Sequence, residues 1–187
     1  WIAGFSAEFV EDCFKKYLPD KNPDELTILD AFAGVGTTLI EGLLHGYNVV
    51  GFEINPYAHL ASKVKLNSYK YDTAEIERTL QDFLAYYTER ERDSSYEPMT
   101  QFPKGFNTRA PFYSPTVRRK VLIFFDYLNR IKNSEAKDLF RLAFGTVMVS
   151  FSNYSYEPSL GRRASSGKPD IDDADVGSVI ANKIRIM

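Results

Sequence analysis

Cysteine and histidine are scarce in this 187-residue sequence, which contains one cysteine and two histidines. Because Cys13 is the only thiol, no disulfide can form within the chain, which fits a reducing cytoplasm. His45 and His59 stand 14 residues apart without a cysteine or histidine partner, so a zinc site is not expected. The acidic residues within 170–175 lack the spacing of an EF-hand loop and are better explained as charges at a helix start. We therefore expect no bound metal.

Long apolar runs and an excess of basic charge are also missing. No apolar stretch approaches the roughly 20 residues that span a bilayer, and residues 1–5 are not typical of a signal peptide, so no membrane association is expected. The 25 acidic and 23 basic side chains give a net charge of −2, so any nucleic-acid surface must be a local patch. The composition, with 44% hydrophobic and 26% charged residues, is that of a globular domain. The first residue is not Met, which fits a piece of a longer protein.

A glycine-rich turn after a short apolar run is the most informative feature that the sequence does contain. Ile28–Phe32 is long enough for a strand, and Gly34 and Gly36 permit a tight turn with close approach of a ligand. Residues 37–44 have the pattern of a helix, which Gly46 is well placed to end. This order of strand, turn and helix is typical of nucleotide-binding α/β folds.

A second apolar run, Val49–Phe52, follows the helix and leads into Glu53. A carboxylate about 20 residues beyond the turn can accept hydrogen bonds from both ribose hydroxyls of a nucleoside. A ligand across the strand ends would also meet the backbone N–H groups of the turn and the positive end of the helix. Leu39 stands where a dinucleotide fingerprint has its third glycine. An ordinary dinucleotide site is thereby disfavoured.

Two stretches together resemble motif I, and its continuation, of S-adenosylmethionine-dependent DNA amino-methyltransferases. They are Asp-Ala-Phe-Ala-Gly-Val-Gly-Thr-Thr at 30–38 and Gly-Phe-Glu-Ile-Asn-Pro at 51–56. This family modifies adenine N6 or cytosine N4. The resemblance implies S-adenosylmethionine as the cofactor and an α/β, Rossmann-like class I methyltransferase fold. Because only two strands are evident before a mostly helical block, we expect an incomplete sheet with a large helical insert.

The resemblance also assigns the residues of the cofactor site. Asp30, which ends the first strand in this family pattern, would organise the turn and lie close to the cofactor. The turn would form a wall beside the methionine part, and the two threonines would cap the helix and contact the methionine carboxylate. The acid after the second strand would hold the ribose, and the two residues that follow it would flank the adenine. In chain order these residues are Asp30, Phe32, Ala33, Gly34, Gly36, Thr37, Thr38, Glu53, Ile54 and Asn55.

The same resemblance divides the chain into two parts and implies that the family's catalytic motif is absent from both. Residues 1–70 would be the S-adenosylmethionine-binding part, and residues 71–187 a helical insert that leads into the missing catalytic half. The family's catalytic tetrapeptide is Asp/Asn/Ser-Pro-Pro-aromatic, and no Pro-Pro dipeptide occurs here. No catalytic residue is therefore assigned, and we expect the motif beyond Met187. Phe5–Phe9 resembles motif X, which lies under the methionine tail, although its two phenylalanines fit a core equally well.

Apolar spacing and capping residues predict the remaining elements. A Pro/Gly-containing loop is expected at 93–113 and a polar loop at 152–172. Asn55 is expected to cap one helix, and Asp72 with Glu75 to form a capping box on another. The predicted helices are residues 7–18, 56–67, 73–87, 115–128, 134–150 and 173–187.

The function implied by the resemblance is methyl transfer to an exocyclic amino group of a DNA base, in a restriction-modification setting. DNA and the catalytic remainder of the same protein are the expected partners. Arg162 and Arg163, on the second polar loop, are predicted to contact phosphates, whereas Arg118–Lys120 is expected to be a solvated helix face. Two alternatives stay open: an RNA methyltransferase acting on guanine N2, and a non-catalytic cofactor-binding or interaction module.

Overall fold

The protein is mixed α/β, with mostly helices and little sheet. A computed structural model describes residues 4–103, 108, 110–156 and 159–187. It divides the chain into two compact units, Trp1–Tyr71 and Asp72–Met187. Parts of both predicted loops, at 104–107, 109 and 157–158, lie outside the described residues. No helix within the described ranges has the length and apolar character needed to cross a bilayer.

From residue 4 onward, the first unit is a parallel pair of strands with three helices. Leu29 lies opposite Val50 in the strand register. A 3₁₀ turn, Pro23–Glu25, precedes the first strand, and a second one, Ser68–Lys70, follows the last helix. The strands are β1 (Thr27–Asp30) and β2 (Asn48–Gly51), and the helices are α1 (Ala7–Tyr17), α2 (Thr37–Leu44) and α3 (Pro56–Asn67).

Helix α2 covers one face of this small sheet. Gly42 allows the close approach, because a Cβ built there would lie 2.6 Å from Cγ1 of Val49. The opposite face carries Leu29 and Val50, which are 62% and 44% exposed. The alternation of strand side chains therefore gives the sheet one covered and one bare face.

Both strands were predicted, although their bounds differ from those of the apolar runs. The first apolar run extends to Phe32, but β1 ends at Asp30, as the family resemblance implied, because the Asp30 carboxylate accepts the Phe32 N–H at 3.0 Å and turns the chain. The second was expected at 49–52 and lies at 48–51. The helices of this unit were predicted to within a residue, and Asn55 caps α3 as expected, accepting from the N–H groups of Tyr57 and Ala58.

In the part of the second unit that the structure describes, four helices pack around an aromatic core. Phe83 is fully buried, and the rings of Tyr87, Phe124, Tyr127 and Phe140 lie with their centroids 5.4–5.8 Å from it. Phe124 and Phe140 meet Phe83 edge to face, and such pairs add stability beyond the apolar area that they bury. The helices are α4 (Thr73–Arg92), α5 (Pro115–Arg130), α6 (Ser134–Val147) and α7 (Val176–Ile186).

The segment 152–172 was expected to be a plain loop, and this is wrong. It contains an antiparallel hairpin of two short strands, β3 (Tyr154–Tyr156) and β4 (Leu160–Arg162), followed by a 3₁₀ turn at Arg163–Ser166. Three-residue strands are too short to show the alternation on which strand prediction depends.

The two helices on either side of segment 152–172 are shorter than expected. Helix α6 ends at Val147 rather than residue 150, and α7 begins at Val176 because Asp175 is its cap. The capping box on α4 is only half formed. Asp72 accepts from the N–H groups of Ala74 and Glu75, whereas the Glu75 carboxylate accepts from Asn133 Nδ2 at 2.9 Å.

The basic run at 118–120 was expected to be solvated, which is wrong for two of its members. The Arg119 guanidinium donates to the backbone carbonyls of Arg90, Glu91, Asp93 and Tyr96 over 2.6–3.4 Å. It therefore caps the carbonyl end of α4, where positive charge is favoured. Lys120 is 13% exposed and forms ion pairs with carboxylates at 2.9 and 2.7 Å.

A buried carboxylate fastens the residues after α4 to α5. Asp126 is 2% exposed and accepts from the Tyr96 hydroxyl at 2.8 Å and from the N–H groups of Met99 and Thr100 at 2.9 and 2.7 Å. Burial raises the pKa of this carboxyl, but the hydrogen bonds from Thr100, Tyr96 and Met99 outweigh it, so the pKa lies below its usual value.

We expect Asp126→Asn to lower the free energy of unfolding by about 1–3 kcal/mol at neutral pH, because an amide cannot accept all three donors. Since the folded pKa is depressed, the carboxylate's contribution is present above the unfolded pKa of about 3.9 and is lost as the pH falls through the folded value. The difference between wild type and variant in urea unfolding should therefore shrink in acid. Asp82→Asn, the same change at an exposed position of α4, is the control. A pH-independent difference would contradict the assignment.

Candidate cofactor site

The turn after β1 depends on two glycines. Gly34 and Gly36 have φ of +52° and +86°, the left-handed region that favours glycine. The Gly36 N–H donates to the Ala33 carbonyl at 2.7 Å, which closes the turn. A Cβ at Gly36 would also lie 2.9 Å from Oγ of Ser62. Both conformation and space therefore require glycine at position 36.

The carboxylate of Glu53 joins this turn to the end of β2. One oxygen accepts the Gly34 N–H and the other accepts the Asn55 N–H, each at 2.7 Å. A carboxylate oxygen has two acceptor sites, so each Glu53 oxygen retains one for a ligand hydroxyl. The predicted ribose acid is thus held in place by two charge-assisted bonds to the backbone.

The start of α2 differs from the prediction. Thr37 and Thr38 were expected to cap this helix, but they occupy its first two positions, and Gly36 is the N-cap residue without a side-chain cap. The expectation was wrong because Gly36 belongs to both the turn and the helix start. The first-turn N–H groups, which have no partner within a helix, thus stay available to an anionic group at the positive end of the helix dipole.

A small pocket of about 80 Å³ lies at the turn. Its wall includes Gly4 and Phe5 from the N-terminal segment. Phe5 and Phe9 are 62% and 51% exposed, so the alternative that they are core residues is wrong. The predicted residues that the fold brings together in this wall are Asp30, Phe32, Ala33, Gly34, Thr37 and Thr38.

The remaining predicted residues lie beside this pocket rather than in its wall. Gly36 is the N-cap of α2 and Glu53 is bonded to the turn. Ile54 is 98% exposed, and so offers its side chain to solvent or to a flat ligand. The Asn55 oxygen is already occupied as the cap of α3, accepting at 2.9 and 3.2 Å.

Two residues of α3 that the sequence did not single out also contact the turn. Ser62 Oγ donates to the Gly34 carbonyl at 2.8 Å, and Lys65 Nζ donates to the Val35 carbonyl at 3.0 Å. Ser62 is buried and shares its helix face with Ala58 and Ala61. A serine on an otherwise apolar helix face was the signal that could have revealed it.

The predicted phosphate-binding residues lie on the hairpin of the second unit. Arg162 forms an ion pair with Asp170 at 3.2 Å, and Arg163 Nε donates to the Pro169 carbonyl at 2.9 Å. Asn153 fastens the base of the hairpin. Its N–H donates to Phe112, its carbonyl accepts from Arg163, and its side-chain oxygen accepts from Ile171, at 2.8–2.9 Å. Arg162 therefore lies on a hairpin whose base is held in place, and Arg163 begins the 3₁₀ turn that follows it.

Comparison with known proteins gives three similar sequences. The chain is 33% identical over 85 residues to the type II methyltransferase M.BsoBI of Geobacillus stearothermophilus, covering 44% of this chain and 16% of that protein. It is 27% identical over 135 residues to M.MvaI of Kocuria varians, covering 70% and 29%. It is 40% identical over 57 residues to M.MjaII of Methanocaldococcus jannaschii, covering 30% and 10%. Each is named a type II methyltransferase.

These matches cover less than a third of each relative's length. No family model and no solved structure matches the chain. The resemblance to methyltransferases that the motifs predicted is confirmed: this chain is similar in sequence to segments of type II methyltransferases.

Proposed function

We propose that this chain is the cofactor-binding part of an S-adenosylmethionine-dependent DNA methyltransferase that modifies an exocyclic amino group, adenine N6 or cytosine N4. The observation that carries the proposal is the Glu53 carboxylate bonded to a glycine turn at the open N-terminus of α2. The similarity to type II methyltransferases supports the reaction class. The parallel unit β1–α2–β2 would belong to a Rossmann-like class I methyltransferase fold, which the rest of the protein would complete.

The described residues fit the chemical parts of this cofactor. The uncapped first turn of α2, with Thr37 and Thr38, would hold the methionine carboxylate, and Glu53 would accept the ribose hydroxyls. The exposed side chain of Ile54 would lie against the adenine, with Asn55 beside it. Phe32 and its neighbours in the turn would form the wall next to the methionine part, above Asp30.

Catalysis with this cofactor needs alignment more than acid or base chemistry. S-adenosylmethionine supplies a methyl group already activated by its sulfonium. The task left to the protein is to hold that methyl in line with the attacking amine, an effect of orientation. This chain's residues would bind and orient the cofactor, while a Pro-Pro-aromatic element on further sequence would hold the target base outside the helix stack.

The ribose assignment can be tested by isothermal titration on the full-length protein. We expect Glu53→Ala to weaken S-adenosylmethionine binding by roughly 1.5–3 kcal/mol for each charge-assisted ribose bond lost. Because Glu53 also supports the turn, a 2′-deoxyribose analogue of the cofactor should be used as well. The analogue should bind less tightly than the cofactor to wild type, and as tightly as the cofactor to the variant. Equal discrimination in both proteins would show that Glu53 does not hold the ribose.

The catalytic contribution of this chain by itself can be tested directly. We expect the 187-residue chain to transfer no labelled methyl group to mixed-sequence DNA or RNA, because its sequence has no Pro-Pro-aromatic element to orient and stack a base. The full-length protein, assayed in parallel, is the positive control. Robust labelling by the chain alone, abolished by Gly36→Asp, would mean that another element performs the transfer. Labelling of RNA guanine by the full-length protein would support the RNA alternative.

The basic side chains on and just after the hairpin support DNA as the partner. Residues 154–170 contain three basic side chains, Arg162, Arg163 and Lys168, against two acidic ones, Glu157 and Asp170. Arg162 is 42% exposed despite its ion pair with Asp170. A local basic patch of this kind is what an acidic chain needs in order to contact phosphates.

Replacing Arg162 and Arg163 together by alanine in the full-length protein should lower DNA affinity on all sequences alike. The slope of log affinity against log salt should flatten by up to about two units, since two phosphate contacts are lost. Cofactor affinity should stay unchanged. Arg141→Ala, which removes another ion-paired and half-exposed arginine of the same unit, is the matched control. An unchanged salt slope in the double variant would place the DNA surface elsewhere.

A further inference from the structure

Each backbone carbonyl of the glycine turn, from Ala33 to Gly36, is engaged by a donor within the chain. At the two ends the donors are backbone groups. The Ala33 carbonyl accepts from Gly36 N–H at 2.7 Å, and the Gly36 carbonyl accepts from Ile40 N–H at 2.9 Å, as the first bond of α2. Local turn and helix geometry therefore explains these two contacts without any other part of the chain.

The two middle carbonyls are held by side chains of another element. Ser62 Oγ donates to Gly34 O at 2.8 Å, and Lys65 Nζ donates to Val35 O at 3.0 Å. The donors stand three positions apart on α3, so they lie on the same side of that helix. A buried serine in a helix can instead donate to a carbonyl of its own preceding turn. The bond to Gly34, 28 residues away, thus ties two elements together.

These contacts place carbonyl oxygens of the turn against α3 and leave a backbone N–H of the turn facing the other way. A peptide unit is planar and trans, so its C=O and N–H point in opposite directions. Holding the Gly34 carbonyl on Ser62 therefore turns the Val35 N–H away from α3. Within the described residues that N–H has no hydrogen-bond partner, and Val35 lines the small pocket at the turn. A ligand anion there would meet donors, while the carbonyl oxygens that would repel it are engaged.

We propose that Ser62 and Lys65 are positioning residues of the cofactor site. Ser62 holds the Gly34 carbonyl on α3 and so presents the Val35 N–H to an anionic group of the ligand, and Lys65 holds the next carbonyl of the turn, that of Val35, on the same helix. The identity of that ligand rests on the proposed function. Ser62 carries the larger share, because it is 5% exposed and so close to the turn that Gly36 has no room for a Cβ. Lys65 is more exposed and adds a charge-assisted bond whose strength solvent reduces.

The first test measures the ligand in the full-length protein. Ser62→Ala should raise the KM for S-adenosylmethionine roughly three- to tenfold, the range expected for one lost hydrogen bond, while kcat at saturating cofactor and DNA affinity stay unchanged. Lys65→Met should have a smaller effect in the same direction, and Lys65→Arg should restore the wild-type KM. Lys70→Met, which removes the same charge from an exposed position in the 3₁₀ turn after α3, is the control. A fall in kcat without a change in KM, or an equal effect of Lys70→Met, would overturn the inference.

The second test needs no ligand. Hydrogen–deuterium exchange of peptides spanning residues 31–40 should be faster in Ser62→Ala than in wild type, while peptides from α1 exchange at the same rate. If wild type fails to bind S-adenosylmethionine but the turn is loosened, the cofactor assignment is wrong and the positioning role stands. If the cofactor binds equally well to wild type and Ser62→Ala and the exchange is identical, the positioning role is wrong and the proposed function is unaffected.

Discussion

The structure around the glycine turn depends on one carboxylate that accepts hydrogen bonds from two separate backbone segments. Glu53 follows the second strand, yet it accepts the N–H of Gly34, which follows the first. Its other oxygen accepts from Asn55, the residue that caps α3. The turn, the end of the second strand and the start of α3 therefore share a single charged group. That group keeps acceptor sites for a ligand, so the bonds that shape the site also fix the acid that would recognise its ligand.

Helix α3 supplies a second support of the turn, as a hydrogen-bond donor rather than an acceptor. Glu53 accepts from the N–H of Gly34, and Ser62 donates to the carbonyl of the same residue. Gly34 is therefore held at both of its backbone polar groups while its φ lies in the left-handed region. Glycine adopts this region readily, and the two bonds select it from the other conformations open to the residue. Such a turn needs little rearrangement on binding, which lowers the cost of association.

The sequence predicted the elements of the first unit well, since strand, turn and helix signals there are local and agree with one another. Residues 37–44 and the Asn55 cap were correct because apolar spacing and a capping side chain act within a few positions. The capping by Thr37 and Thr38 was wrong because Gly36 took the cap position as part of the turn. In the second unit, Arg119 was expected in solvent, but its partners are carbonyls up to 29 positions away, which no local pattern reveals. The hairpin of β3 and β4 was not predicted, because strands of three residues are too short to show an alternating pattern.

The bare side of the two-stranded sheet has a practical consequence for anyone who works with the first unit alone. In the described residues β1 and β2 pair only with each other, so the outer edge of each strand presents unpaired N–H and C=O groups, and Leu29 and Val50 add an apolar face. Open edges beside exposed apolar side chains are templates for pairing with another chain. A fragment cut at Tyr71 will therefore be prone to self-associate and precipitate through this sheet.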